Sequence, residues 1–291
     1  MQQSVRLKSF ELFARDIDGI DVNLLHALST SVGWPHRPKD WEMLRRAGKG
    51  IVAVDGIGRV FGSAMWFPHG DDFATIGLVI TSPRTQAQGN GRWLMERVFA
   101  ECGGRHLSLN ATRAAYALYR SLAFVDEGIV HLHQGKVSAA LPSLPRLNGH
   151  FEDLASGRLA EIAALDLAAF GVDRLPLLEL LAEQASIRVL RRDGVAAGYS
   201  MCRAFGQGHV IGPLVASNDD DAIHLAAVHL ETFAGSFMRV DTRSTGAFAA
   251  FLRRNGLSVT DTVTTMSKGR RFLNEKPGEP MVFGLAGHAL G

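Results

Sequence analysis

The chain has 291 residues, 46% hydrophobic and 21% charged, with 31 lysines and arginines against 29 aspartates and glutamates. That length exceeds one ordinary core and suits two domains of roughly 100 to 150 residues each. A net charge of +2 gives no global field pointing to nucleic acid or a membrane surface as partner, so any anionic ligand has to be held locally.

No apolar run approaches the roughly 20 residues of a membrane span, and the opening MQQSVRLKSFELFARDID lacks the uninterrupted apolar stretch of a leader. Cys102 and Cys202 stand far apart without a CxxC, which fits buried thiols in a reducing compartment. The expectation is a cytoplasmic protein.

In chain order, Asp21 to Leu28 and Trp41 to Ala47 read as helices, and IVAVDGIGRVFGSAMWF as two strands joined by the turn residues Asp55, Gly56 and Gly58. DFATIGLVI, from Asp72 to Ile80, is a β-rich apolar run. After a glycine-rich loop, RWLMERVFAEC sets Trp93, Leu94, Val98 and Phe99 on one helical face. A strand at HLSLNA, a helix at AAYALYRSL and closing strands from Phe124 to Val137 follow.

Pro142, Pro145, Asn148 and Gly149 then mark a linker, and beyond it the order repeats. Helices at Leu159 to Phe170 and Leu175 to Glu183 precede a hairpin around Asp193 and Gly194, then HVIGPLVAS, the helix IHLAAVHLETFA, the strand FMRVDT, the helix GAFAAFLRRNG and the strand VTDTVTTMS. TIGLVITS matches VIGPLVAS, and ATRAAYALYRSLAFV matches RSTGAFAAFLRRNGLSV. Gly77 falls on Gly212 at a separation of 135, and Phe124 on Leu257 at 133. The expected fold class is therefore α/β with a mixed sheet, duplicated in tandem, with domains at 1–145 and 146–291.

The loop PRTQAQGNGRW sits between a strand and a helix start. Free helical amides and the helix dipole favour an anion there, and glycines let it approach the main chain. Gln86, Ala87, Gln88, Gly89, Asn90 and Gly91 would supply the amides, with Arg84 or Arg92 adding charge. The string lacks the third glycine of a dinucleotide fingerprint and the closing G-K-[ST] of a P-loop.

Q-x-x-G-x-G at Gln86, Gly89 and Gly91, after Val79-Ile80-Thr81-Ser82-Pro83, resembles the acetyl-CoA loop of the GNAT acetyltransferase superfamily. Ala115-x-x-Leu118-Tyr119-x-x-Leu122-Ala123-Phe124 resembles that superfamily's A-x-x-L-Y-x-x-L-G-F helix. The resemblance covers roughly Asp16 to Val137 by motif and the second half by topology, as in a tandem GNAT protein. Ala123 departs from the usual glycine, and Thr112 stands where many members carry an asparagine.

In the second copy SNDDDAIH replaces the glycine loop, and Leu252 replaces the tyrosine. Carboxylates there would repel a pyrophosphate by about 1 kcal/mol for each close pair in water. Asp219, Asp220 and Asp221 read as a helix cap, not a metal site. His131 and His133 have a two-ligand spacing on one strand with no recognisable third ligand, so no metal is expected.

The resemblance implies that acetyl-CoA binds on the loop from Gln86 through Arg92, with its arm along Val79 and Thr81 and beside Thr112. It also implies that an N–H near Leu78 or Val79 faces the thioester oxygen and that Tyr119 is the general acid, with Tyr116 its neighbour. Trp34, His36 and Arg37 would wall the acceptor side. His36, His69, Asp71 and Asp72 are the candidate bases. The implied activity is acetyl transfer to the amine of a small molecule. The alternatives are a non-catalytic acyl-CoA-binding or sensing protein and a protein or peptide N-acetyltransferase. Nothing in the sequence sets an oligomeric state.

Overall fold

Short polar side chains fix many of the element ends. The Asp21 carboxylate accepts from Asn23 N–H at 2.9 Å to start a helix, Asn218 accepts from Asp221 N–H at 2.9 Å to start another, and Asp55 accepts from both Ile57 and Arg59 N–H groups to close a hairpin turn. Asp193 and Gly194 are both left-handed, with φ of 50° and 80°, the backbone of a tight hairpin turn.

The computed structural model describes residues 4–7 and 10–291. Met1, Gln2, Gln3, Lys8 and Ser9, part of the N-terminal stretch read above, lie outside the described residues. The first half runs β1 (Ser4–Leu7), β2 (Phe10–Asp16), α1 (Val22–Ser31), α2 (Pro38–Ala47), β3 (Lys49–Val54), β4 (Val60–His69), β5 (Phe73–Thr81), α3 (Asn90–Cys102), β6 (His106–Ala111), α4 (Tyr116–Ser121) and β7 (Val125–Lys136). The second runs β8 (His150–Asp153), α5 (Ala160–Phe170), α6 (Leu175–Ala182), β9 (Ala185–Arg192), β10 (Val195–Phe205), β11 (Gly208–Ala216), α7 (Asp219–Thr232), β12 (Phe237–Thr242), α8 (Ala247–Arg254), β13 (Ser258–Lys268) and β14 (Met281–Gly284). Four strands, β1, β2, β8 and β14, were not expected from the sequence, and the stretch read as closing strands is the single long β7. No described helix is long and apolar enough to cross a membrane.

All strands join one mixed sheet in the order β1-β2-β3-β4-β5-β6-β13-β7-β12-β11-β10-β9-β8, with β14 on β11. The centre is an exchange. β13 of the second half inserts beside β6, with Thr264 opposite Ala111, while β7 of the first half pairs with β12, Val240 opposite His133. The two exchanged strands also pair with each other along most of their length. The backbone ladder thus runs unbroken through the molecule, while the irregular stretch 137–149 carries the chain from β7 to β8.

On one face, α1 and α2 share a single core with α5 and α6. Leu25, Trp41, Leu44, Ile162, Leu178 and Leu181 belong to it, and Arg46 on α2 pairs with Glu183 beside α6 at 2.6 Å. On the other face the cores are separate. Trp93, Leu94, Val98 and Phe124 form one under α3 and α4, and Leu225, Leu230, Phe248 and Leu252 form another under α7 and α8. Both cysteines are buried free thiols, and burial pushes Cys102 up to about 11 and Cys202 up to about 12.

Candidate functional site

Parallel pairing of β5 with β6 holds only from Phe73 opposite His106 to Ile76 opposite Leu109. Just past that point the β4 register shifts between Ser63 and Met65, and Leu78 takes a left-handed φ of 52°. Such a bulge bends its strand away from the neighbour. Leu78 and Val79 have no register partner on β4, and the Leu78 carbonyl is held by the Ser63 hydroxyl at 2.7 Å. β5 and β6 part there, and main chain is left facing the gap.

The glycine loop leads from the far end of β5 into α3. Ala87 and Gly89 are left-handed, with φ of 57° and 91°, and Gly89 is the residue that opens α3. The direction a Gly89 side chain would take is free of protein atoms. The loop's own side chains tie it down: Gln86 donates to the Thr81 carbonyl, Gln88 to the Arg84 carbonyl, and buried Asn90 to the Phe61 carbonyl and Thr85 hydroxyl. Arg92 reaches across to the Ser121 hydroxyl at 2.7 Å, linking α3 to α4. A left-handed backbone before a helix start, with nothing over it, is the geometry an anion requires.

A cavity of about 420 Å³ opens beside the splay. Its walls include Leu78, Val79, Thr112 and Tyr119 from the first half, Trp34 and His36 from the α1–α2 connection, and Arg203, Arg239 and Asp241 from the second half. Tyr119 is buried at 5% exposure, packs edge-on to Phe124, and among the described residues its hydroxyl has no hydrogen-bond partner. Burial raises its pKa above the ordinary phenol value, so it carries its proton at neutral pH. Burial draws His36 down to about 4, and its Nδ1 has no partner. It is a neutral imidazole on the cavity wall.

The remaining residues singled out in the sequence lie elsewhere. Arg37 folds back on Asp40 at 2.8 Å, bracing the start of α2, and does not line the cavity. Tyr116 turns outward to donate to Asp126 at 2.7 Å. His69 is buried among Phe73 and Phe170, Asp71 meets Arg105, and Asp72 meets Arg270. Of the four base candidates only His36 reaches the cavity. His133 is fixed at Nδ1 by the Leu257 carbonyl, and among the described residues no cluster of metal-ligating side chains forms.

The second copy splays in the same way, β11 pairing with β12 only at His209 and Val210. Here β14 lies in the gap, with Leu214 opposite Gly284 and Ala216 opposite Met281. The acids that replace the glycine loop are also engaged: Asp219 accepts from the Phe248 N–H at 2.9 Å at the start of α8, and Asp221 pairs with Arg192 at 2.6 Å. The gap between the parting strands is filled here by the chain itself.

Beyond β14 the chain crosses to the first copy and completes the cavity. Asn110 donates to the His288 carbonyl at 2.9 Å, Ala289 sits on Gly77, and Arg174, paired with Asp166 inside the core, donates to the Gly291 carbonyl at 2.8 Å. His288, drawn down to about 4 chiefly by burial, touches both Arg239 and Asp241. The sequence reading missed these second-half walls. Arg203, Arg239 and Asp241 sit in strands with ordinary spacing, and only the strand exchange brings them across.

Two family models match the chain. Residues 24–124 match one described as "Acetyltransferase (GNAT) family", and residues 162–279 one described as "Acetyltransferase (GNAT) domain". An uncharacterized N-acetyltransferase, YitH of Bacillus subtilis (strain 168), is 25% identical over 208 residues, 70% of this chain and 73% of that protein. A putative acetyltransferase from Pyrococcus horikoshii superposes with a TM-score of 0.78 at 18% identity, over 100% of this chain and 99% of that one. A tandem GNAT protein from the clavulanic acid biosynthesis pathway superposes with a TM-score of 0.60 at 14% identity, over 89% of this chain and 99% of that one.

Proposed function

Because the chain belongs to the GNAT acetyltransferases in two tandem copies, we propose that its first copy transfers an acetyl group from acetyl-CoA to the amine of a small acceptor. The observation that carries this reading is the meeting of the β5 bulge at Leu78 with the unpartnered hydroxyl of Tyr119 on one cavity. The amides from Gln86 through Arg92 take the pyrophosphate, and Val79, Thr81 and Thr112 flank the arm. An N–H at Leu78 or Val79 stabilises charge on the thioester oxygen. His36 faces the acceptor as a neutral hydrogen-bonding group.

The deprotonated amine forms the new C–N bond as the C–S bond breaks, and Tyr119 gives its proton to the sulfur. The proton shed by the attacking nitrogen restores the phenol, so the products are the amide and the free thiol. Walls from the second half and from residues 287–290 enclose the acceptor side, which favours a small molecule over a protein chain. The test is thiol release from acetyl-CoA across amino acids, polyamines, aminoglycosides and peptides. Tight acetyl-CoA binding without amine-dependent thiol release would support the sensing alternative instead.

A further inference from the structure

Arg203 is a cation in a place built for an apolar residue. It stands on β10 opposite Val210, two residues before Gly212, as Phe67 on β4 stands opposite Thr75, two residues before Gly77. Phe67 is packed in the core. Arg203 is equally buried, at 3% exposure, yet it lines the cavity. Taking a guanidinium out of water costs several kcal/mol unless a counter-charge and hydrogen bonds compensate.

That compensation is incomplete within the chain. Nη2 donates to the Ala286 carbonyl at 2.8 Å, and Nε is buried without a partner. Arg239, its neighbour on the wall, is matched by Asp241 through two hydrogen bonds of 2.8 Å. Asp40 is committed to Arg37 and to the Gly206 N–H, and Asp261, the other acid on the wall, is exposed. Among the described residues no carboxylate forms an ion pair with Arg203. Burial lowers it to about 10, which leaves it charged at neutral pH.

The geometry points to an acceptor that carries a carboxylate as well as its amine, the carboxylate being held by Arg203 while the amine faces the acyl carbon. This rests on the acetyl-transfer reading above. A planar guanidinium that lines the cavity with its Nε unpartnered suits a planar monoanion, whereas a dianionic phosphate would call for more donors than Arg203 leaves unpaired. The two ends of the site are linked by one turn. Ala286, on the Arg203 side, and Ala289, against Gly77, are three residues apart and span at most about 11 Å, within the range of an amino acid or a short peptide.

Matched pairs decide it: amino acids of different chain length, each against the amine it becomes on losing its carboxylate, with phosphoethanolamine as a phosphate-bearing amine. The expected result is a preference for the carboxylate member of at least about tenfold in kcat/KM. In Arg203→Gln that preference shrinks toward parity through a higher KM for the carboxylate member, and Arg203→Lys restores part of it. Amines used as well as their acids, or phosphoethanolamine used best, would overturn the proposal. If no amine is acetylated at all, the transfer reading fails but the carboxylate site is still testable. N-acetyl amino acids should then raise the thermal midpoint of the wild-type chain and not of Arg203→Gln, and no shift in the wild type would reject the site.

Discussion

Gly77 and Gly212 hold matching positions on β5 and β11, and both are covered by the same stretch of chain. A Cβ on Gly212 would run into the Leu285 carbonyl, and one on Gly77 into Ala289. The two substitutions should differ in outcome. Gly212→Ala meets backbone and has to lift β14, so unfolding in urea should show a loss of about 1–3 kcal/mol. Gly77→Ala meets the Cα and Cβ of Ala289, so it too should lose stability, and because Ala289 is part of the cavity wall it should in addition raise the acceptor KM in the folded fraction. Gly19→Ala, with nothing within 4 Å of the added carbon, is the control.

Acetyl-CoA should bind once per chain. The first splay keeps its left-handed loop open, while the second holds β14 and two engaged aspartates. Calorimetry with two equivalent sites would contradict this. Gly89→Val forces a β-branched residue into a φ of 91°, costing about 1–3 kcal/mol of backbone strain in the loop proposed to hold the pyrophosphate. The expected result is a steep rise in KM for acetyl-CoA. A normal KM would place the cofactor elsewhere.

Local chemistry made the repeated element order and the glycine loop legible, because turn residues, apolar periodicity and capping groups lie close together in the chain. The exchange of β7 and β13 was not, since each pairs with strands that either half's pattern would accept equally well. The role of residues 281–291 was hidden for a related reason: MVFG reads as a short apolar run, and only the gap between β11 and β12 gives it a partner. Arg203 looks like any strand-end cation until burial is known. Tyr116 and Tyr119 differ by three residues on one helix, and only the fold shows one facing the cavity and the other facing Asp126.

Tyr119→Phe is a clean test of the acid. Its hydroxyl makes no hydrogen bond with the described residues, so the change should cost little stability, well under the roughly 1 kcal/mol of an ordinary buried bond. As the acid, its loss should lower kcat by roughly 10² to 10⁴ with acetyl-CoA binding retained. Unchanged kcat with unchanged pH dependence would remove it from the mechanism. Tyr116→Phe should leave turnover intact. Leu252→Ala, at the matching place in the second copy and fully buried, should cost about 2–5 kcal/mol in stability and spare the chemical step in the folded fraction.

Mild acid should destabilise the fold through histidines. His69 and His229 are buried at 5% and 2% exposure, and burial draws both down from 6.5 to about 4. The folded state keeps these rings neutral, while the unfolded chain takes up protons as pH falls below 6.5. Their contribution is therefore fully present above 6.5 and is lost progressively down to about 4, with about 2 kcal/mol gone per ring at pH 5. Half-buried His36 and His288 act in the same direction. The buried carboxylates Asp40 and Asp241 are held below their ordinary value of 3.8, so their stabilisation is lost only at lower pH and does not blur this window. His69→Phe replaces the ring with one that suits its Phe73 and Phe170 neighbours and cannot titrate. Urea unfolding at pH 7.5 and pH 5 should show a drop smaller by about 2 kcal/mol in that variant than in the parent. An identical drop in both would mean that His69 already accepts its proton in the folded protein.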